Sequence, residues 1–238
     1  MKPQIVMQDY GRHNSDLEKT VERLGRAGTW RKQRVVMILP ADALMPTKAA
    51  LAMRGLIFPP NQPMVPIGAV GMEVGAAYSA TIEMILSHPE LGKWEYILTL
   101  EHDNIPPADG VLTLIEDMEA HPELDCIGGL YFTKGEGGVA QIWGSVEDPM
   151  LNFRPQIPRA EELQECCGTG MGFNLWRMSL FRDERIAKPW FKTKASKAEG
   201  LGTQDLAFWT EARKYGHRCA IDNRVRVGHY DHATDITW

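Results

Sequence analysis

Tyr96-Ile97-Leu98-Thr99-Leu100-Glu101-His102-Asp103-Asn104-Ile105-Pro106-Pro107 is the stretch whose reading orders the rest of the chain. Glu95 to Leu100 is an apolar run of strand length that ends in two acids, a histidine and a proline pair. In an open parallel sheet, ligands bind beyond the carboxyl ends of strands. Glu101 and Asp103, at i and i+2 past such an end, are therefore candidate oxygen donors for Mg²⁺ or Mn²⁺. Asp and Asn before Pro-Pro are also ordinary turn formers. Position alone leaves the two readings level.

Outward from this stretch, strands and helices alternate. Arg34–Leu39 is a continuous apolar run halted by Pro40, the pattern of a strand buried on both faces. A short helix is expected from Thr47 towards Arg54, and a second strand at Met64–Val70. A helix over about Gly75–Ser87 would present Ala76, Ala80 and Met84 together with Ala77, Thr81 and Ile85 as one apolar face. Downstream, Val111, Leu114, Ile115 and Met118 share a helix face, and Leu124–Phe132 reads as a fourth strand carrying Gly128-Gly129. The pattern predicts an α/β fold: a mostly parallel central sheet with helices on both faces.

The flanks are less regular. Residues 1–14 read as an arm, and Ser15-Asp16-Leu17-Glu18 as a capping box opening a helix to about Arg26. Residues 133–160 form a long loop that could hold a β-hairpin, Gln164–Trp176 is strand-like around a glycine cluster, and 183–202 is polar and irregular. Thr203–Tyr215 reads as a helix ended by Gly216; His217–Ile221 and Val225–Gly228 read as two closing strands. One domain over 1–238 is expected.

Composition narrows the function classes. The 238 residues are 44% apolar and 24% charged, ordinary for a globular chain, with a net charge of −5. A dedicated nucleic-acid binder needs a basic surface to displace counterions, so no nucleic-acid partner is expected. Four cysteines without a CxxC pair point to reduced thiols. The start lacks the apolar core of a secretory signal. The most apolar long stretch, Val65–Ala80, contains Glu73 and three glycines and falls short of a membrane span. A cytoplasmic location without a transmembrane segment is the expectation.

Three further features carry chemistry. Gly168-Thr169-Gly170-Met171-Gly172 allows close backbone approach to a ligand, although a sharp bend between strands explains it as well or better. Asp205, in Thr203-Gln204-Asp205 at a helix start, could act as a general base. An acid in a first helical turn is favoured by the macrodipole in any case, and that dipole should hold its pKa low. His229, in Gly228-His229-Tyr230-Asp231-His232, could ligate a metal as neutral imidazole, or could join Asp231 and His232 in a separate cluster.

Taken in order, these segments resemble the GT-A-fold glycosyltransferases, in particular compact members of the large inverting, nucleotide-sugar-dependent family. The likeness runs from about Arg34 to Tyr230. Its landmarks are Val35–Ala41, Tyr96–Pro107, Cys126–Tyr131, Gly168–Phe173, Thr203–Phe208 with Ala212–Gly216, and Val225–His229. The resemblance implies a GT-A, Rossmann-like fold with a small acceptor-side lobe. The halves would be a nucleotide-binding part (34–132) and an acceptor and metal part (133–238), behind an N-terminal arm and helix (1–33).

The resemblance also implies residue roles. A nucleotide-sugar donor, UDP- or GDP-linked, would lie near Pro40 and Ala41. Glu101 and Asp103 match the acid-x-acid motif that contacts donor and metal, with Asp103 the more direct ligand. His229 matches the histidine that completes the metal site, Asp205 the catalytic base, and Gly170 the bend that shapes the donor pocket. The implied cofactor is Mn²⁺ or Mg²⁺, and the acceptor a glycan or other hydroxyl compound. The chain departs from the pattern at Glu101, where Asp is usual, and at Gln204, where Glu is usual. Ala77-Tyr78-Ser79 stands where related compact members carry an arginine. A nucleotidyltransferase, a metal-dependent hydrolase on a similar sheet, or a non-catalytic nucleotide- or glycan-binding protein are the alternatives.

Overall fold

A computed structural model describes residues 19, 22, 34–42, 44–59, 64–193 and 203–238. The expected arm and the helix at 15–26 fall essentially outside them. The central sheet has seven strands: β1 (Val35–Ala41), β2 (Met64–Val70), β3 (Tyr96–Leu100), β5 (Cys126–Leu130), β7 (Leu163–Cys166), β9 (Phe173–Arg177) and β10 (Cys219–Arg226). Their order is β2-β1-β3-β9-β5-β10-β7. The pairs β1–β2, β1–β3 and β5–β10 are parallel, while β9 runs antiparallel to both β3 and β5, and β7 antiparallel to β10. Five strands thus share one direction and present their carboxyl ends on one edge. Two small sheets accompany it among the described residues: β4 (Asn104–Ile105) with β11 (Gly228–Asp231) and β12 (Ile236–Thr237), and β6 (Ile142–Trp143) with β8 (Gly168–Thr169).

The four α-helices among the described residues are α1 (Thr47–Arg54), α2 (Val74–Ser87), α3 (Gly110–Ala120) and α4 (Gln204–Ala212). They explain why the strands read as continuous apolar runs. Val36, Ile38 and Ile97 pack with Tyr78, Ile82 and Ile85 of α2 and with Phe208 and Trp209 of α4. Their neighbours Val35, Met37, Tyr96 and Leu98 point to the opposite face and pack with Val111, Leu114, Ile115 and Met118 of α3. Because alternate side chains of a strand face opposite sides, covering both faces requires apolar residues at every position.

Trp176 of β9 anchors the first face. Its ring stacks on Trp209 at 5.5 Å and 16° and meets Phe208 edge-on at 5.8 Å. It is fully buried, and its Nε1–H donates to Thr99 Oγ1 at 3.0 Å. Truncating such a residue costs about 3–5 kcal/mol. Trp190 is buried in the same cluster, so Trp176, Trp190 and Trp209 serve packing. The four cysteines are free and buried.

Several expectations are corrected. The strand at 34–39 is not halted by Pro40; it continues to Ala41, with Pro40 opposite Ala69. Pairing with β3 ends at Ile38, so beyond it β1 has one neighbour and a residue without N–H is tolerated. On α2 the buried row is Ala77, Tyr78, Thr81, Ile82 and Ile85, while Ala76, Ala80 and Met84 face outward. Small or flexible apolar side chains do not by themselves define the inner face. The two expected closing strands are one strand, β10, with a register shift between Asp222 and Arg226. No helix among the described residues is long and apolar enough to cross a membrane.

Candidate active site

The sheet brings the singled-out residues to its carboxyl edge. Leu100 is the last residue of β3, and the Glu101 amide donates to Gly172 O at 3.0 Å, which ties the strand end to the glycine bend. The next turn enters β4, which pairs antiparallel with β11 so that His229 lies opposite Asn104. The Tyr230 amide donates to Asp103 O at 2.9 Å. These backbone bonds hold the acid-x-acid segment against β11.

Asp103 and His229 face each other across this pairing. His229 Nε2 is 3.6 Å from Asp103 Oδ2, and His229 Nδ1 is 2.8 Å from the carbonyl oxygen of Phe132. A carbonyl only accepts, so Nδ1 carries a hydrogen and Nε2 is the nitrogen turned towards Asp103. This is the orientation of a metal-ligating histidine, set by its second nitrogen. The ring of Tyr131 stands edge-on to His229 at 5.6 Å. Lys134 Nζ donates to Asp103 Oδ2. Asp103 is half-buried, but hydrogen bonds and charge from His229 and Lys134 outweigh burial and hold its carboxyl well below the ordinary range.

Glu101 behaves in the opposite way. Burial, followed by the negative charges of Asp103 and Asp205, pushes its pKa up to about 7. The two acids of the motif thus differ in protonation at neutral pH, one firmly ionised and one poised. Asp205 lies in the first turn of α4, buried, and its Oδ1 accepts from the Leu206 amide at 2.9 Å. The expectation that the helix dipole holds its pKa low is overturned. Burial is the dominant influence and raises it, against hydrogen bonds from Thr203 and Leu206.

Gly170 packs where no side chain fits: a Cβ there would lie 2.2 Å from the Tyr131 hydroxyl and 2.7 Å from Gln141 Oε1. The same hydroxyl accepts from the Gly172 amide at 2.9 Å. Pro40 and Ala41 end β1, beyond the Ile38–Thr99 pair and so beside the end of β3. Ala77, Tyr78 and Ser79 are buried in α2, with the Tyr78 hydroxyl donating to Met171 O at 3.5 Å. The alternative His229-Asp231-His232 cluster does not form. Asp231 is spent on its own turn, accepting from the Ala233 amide and Thr234 hydroxyl at 2.9 Å each, and His232 is exposed.

Asp103 and His229, with Glu101 two residues away, suit a hard divalent cation: carboxylate and imidazole donors are those Mn²⁺ and Mg²⁺ accept. Among the described residues no three His, Cys, Asp or Glu side chains surround an ion by themselves. The pair fits an ion bound by one or two protein groups and completed by phosphate and water, as is usual for Mg²⁺. Next to it the Asn104 side chain is fully buried and makes no hydrogen bond within the protein, leaving a donor and an acceptor unspent.

Sequence reasoning missed Tyr131 and Lys134. Tyr131 follows a strand bearing Gly128-Gly129, and Lys134 opens the glycine-rich turn after it. Their positions past a strand end were the available signal; that Lys134 reaches Asp103 and Tyr131 reaches the glycine bend and His229 was not readable without the fold.

Two solved structures are similar in fold. A197 from STIV matches with a TM-score of 0.58 at 14% identity, over 84% of this chain and 86% of that one. GalNAc-T7, crystallised with UDP, GalNAc and Mn²⁺, matches with a TM-score of 0.56 at 10% identity, over 84% of this chain and 44% of that one. The present chain therefore spans less than half of that second structure. No protein-family model and no curated protein matches the sequence. The class these observations define is the GT-A fold: a mixed, mostly parallel Rossmann-like sheet flanked by helices. A GalNAc-T stands among its neighbours of that fold.

Proposed function

We propose that this chain is a metal-dependent glycosyltransferase that moves a sugar from a nucleotide-sugar donor to an acceptor hydroxyl with inversion. The observation that carries the reading is the Asp103–His229 pair, 3.6 Å apart at the carboxyl edge of the sheet with Nε2 freed by the Phe132 carbonyl. Asp103 and His229, with Glu101, would hold Mn²⁺ or Mg²⁺. Bound there, the ion would neutralise charge on the departing nucleoside diphosphate.

The protein groups divide the remaining work. Pro40, Ala41 and the Gly170 bend shape the donor pocket in the 34–132 half and at its border. Asp205, whose proton affinity burial raises, accepts the proton of the acceptor hydroxyl as that oxygen attacks the anomeric carbon. One in-line displacement inverts the centre. The donor is a UDP- or GDP-linked sugar and the acceptor a glycan or another hydroxyl compound; UDP in the GalNAc-T7 structure makes uridine nucleotides the first to test.

Thermal unfolding against UDP, GDP, ADP and their sugars, with and without Mn²⁺, tests this. A ligand at 100 times its Kd adds about 2.7 kcal/mol, several degrees for a chain of this size. A shift that needs Mn²⁺ supports the reading. Pyrophosphate release or acceptor-independent hydrolysis would make the protein a nucleotidyltransferase or hydrolase. Nucleotide binding without turnover would make it a binding protein.

A further inference from the structure

We propose that Lys134 is the built-in cation of the donor site: it neutralises Asp103 before the donor arrives, and passes to the donor's diphosphate when a divalent ion takes its place on Asp103. The inference rests on the donor-site reading above and extends it to a residue with no place in that scheme.

One carboxylate oxygen has two claimants. Lys134 Nζ donates to Asp103 Oδ2, the same oxygen that faces His229 Nε2 at 3.6 Å. A divalent ion seated between Asp103 and His229 must displace the ammonium, because two cations cannot share that oxygen at contact distance without strong repulsion. The displaced group has somewhere to go. The Lys134 side chain is 30% exposed against 16% for Asp103, so the ammonium comes from the rim and the carboxylate lies deeper.

The turn that carries Lys134 is anchored at its base. The Thr133 amide donates to Val139 O, and the Val139 amide to Thr133 Oγ1, both at 2.9 Å. Gly135 and Gly137 take φ of +100° and +75° between them. The backbone is thus pinned while the four-carbon lysine stem remains free to swing. Phe132, two residues earlier, supplies the carbonyl that orients His229, so the lysine and the imidazole hang from the same strand end.

A diphosphate bound at this edge needs a positive partner. Ala77-Tyr78-Ser79, where the resemblance led to the expectation of an arginine, is buried and uncharged. Lys134 supplies a compact, mobile positive charge at the site, the kind that binds phosphate as a point charge.

The test uses the full chain with K134M and K134R. Titration with Mn²⁺ alone, read by the electron paramagnetic signal of the free ion, should show K134M binding about 10-fold tighter than the parent, and K134R close to it. Equal affinity of K134M and parent would overturn the occupancy of Asp103. In saturating Mn²⁺, calorimetry with UDP and GDP should show K134M binding about 10-fold weaker and K134R restored. Undiminished nucleotide affinity in K134M would overturn the hand-over to phosphate. A parent protein that binds Mn²⁺ but neither nucleotide would remove the donor-site reading and the hand-over, and the Mn²⁺ comparison would still decide whether Lys134 competes for Asp103. Matching melting curves of K134R and parent exclude misfolding of the turn.

Discussion

His229 Nε2 lies 3.6 Å from Asp103 Oδ2, and the backbones of the two residues are brought together by main-chain pairing. Tyr230 N–H donates to Asp103 O, and β11 pairs with β4 through His229 and Asn104. Either side chain can be removed while the backbone that places it remains. The site can therefore be dissected without dismantling the edge of the sheet.

Asp103→Ala is the first consequence. The variant should fold with a melting temperature near the parent's, because its carbonyl still accepts from Tyr230, and should lose Mn²⁺-dependent nucleotide binding. Isothermal titration with UDP or GDP in Mn²⁺ checks it. Parental affinity for both ion and nucleotide would remove Asp103 from the metal site.

Asp205→Asn separates binding from chemistry. The amide is nearly isosteric, so the buried position at the head of α4 is kept while the proton acceptor is lost. Nucleotide affinity should stay at the parental level and transfer should fall by about 10²–10⁴-fold, the usual worth of a general base. Transfer measured with saturating donor decides, and undiminished turnover would exclude Asp205 as base.

Gly170→Ala tests the packing behind the pocket. The added methyl would meet the Tyr131 hydroxyl at 2.2 Å and Gln141 Oε1 at 2.7 Å. Overpacking of this kind costs about 1–3 kcal/mol, and each kcal/mol lowers the melting temperature by about 2–4 °C in a chain of this size. Adding Tyr131→Phe should recover part of the loss. A Gly170→Ala protein that melts like the parent would mean that Tyr131 and Gln141 do not pack there.

His217 predicts a pH dependence of stability away from the site. Its Nδ1 is 3.2 Å from Asp125 Oδ2 and its Nε2 2.9 Å from Asp183 Oδ2, with Arg185 also on Asp183 and the Arg218 amide on Asp125. The bond to Asp125, helped by Asp183 and opposed by burial, raises the imidazole above its ordinary 6.5. The folded state therefore holds this proton more tightly than the unfolded chain. The contribution is complete below 6.5 and disappears as pH rises through the higher folded value. Melting curves of the parent and His217→Gln should differ most below pH 6.5 and converge as pH rises through the higher folded value. A constant difference would remove the linkage.

Much of the fold was legible because it follows from local periodicity. Met64–Val70 and Thr47–Arg54 appear as read, and Val111, Leu114, Ile115 and Met118 are buried together on one face of α3. What failed was the choice among equally apolar rows, as on α2, where Ala76 and Ala80 faced out and Tyr78 and Ile82 faced in. Burial of a whole row depends on what stands opposite, and the sequence of one helix does not contain that.

The sequence by itself determined that strands and helices alternate, that acids leave the end of an apolar strand, and that a histidine follows the last long one. Those features are set by side-chain period and by the chemistry of single residues. Only the tertiary structure decided that β9 runs backwards between β3 and β5, that Gly128 is required because a Cβ there would sit 2.3 Å from Asn174 Oδ1, and that Lys134 rests on Asp103. It also decided which nitrogen of His229 faces the acids, through a carbonyl supplied by Phe132. Each of these depends on groups far apart in the chain meeting within a few ångströms. Such encounters follow from how the sheet closes over its core, and no local pattern encodes them.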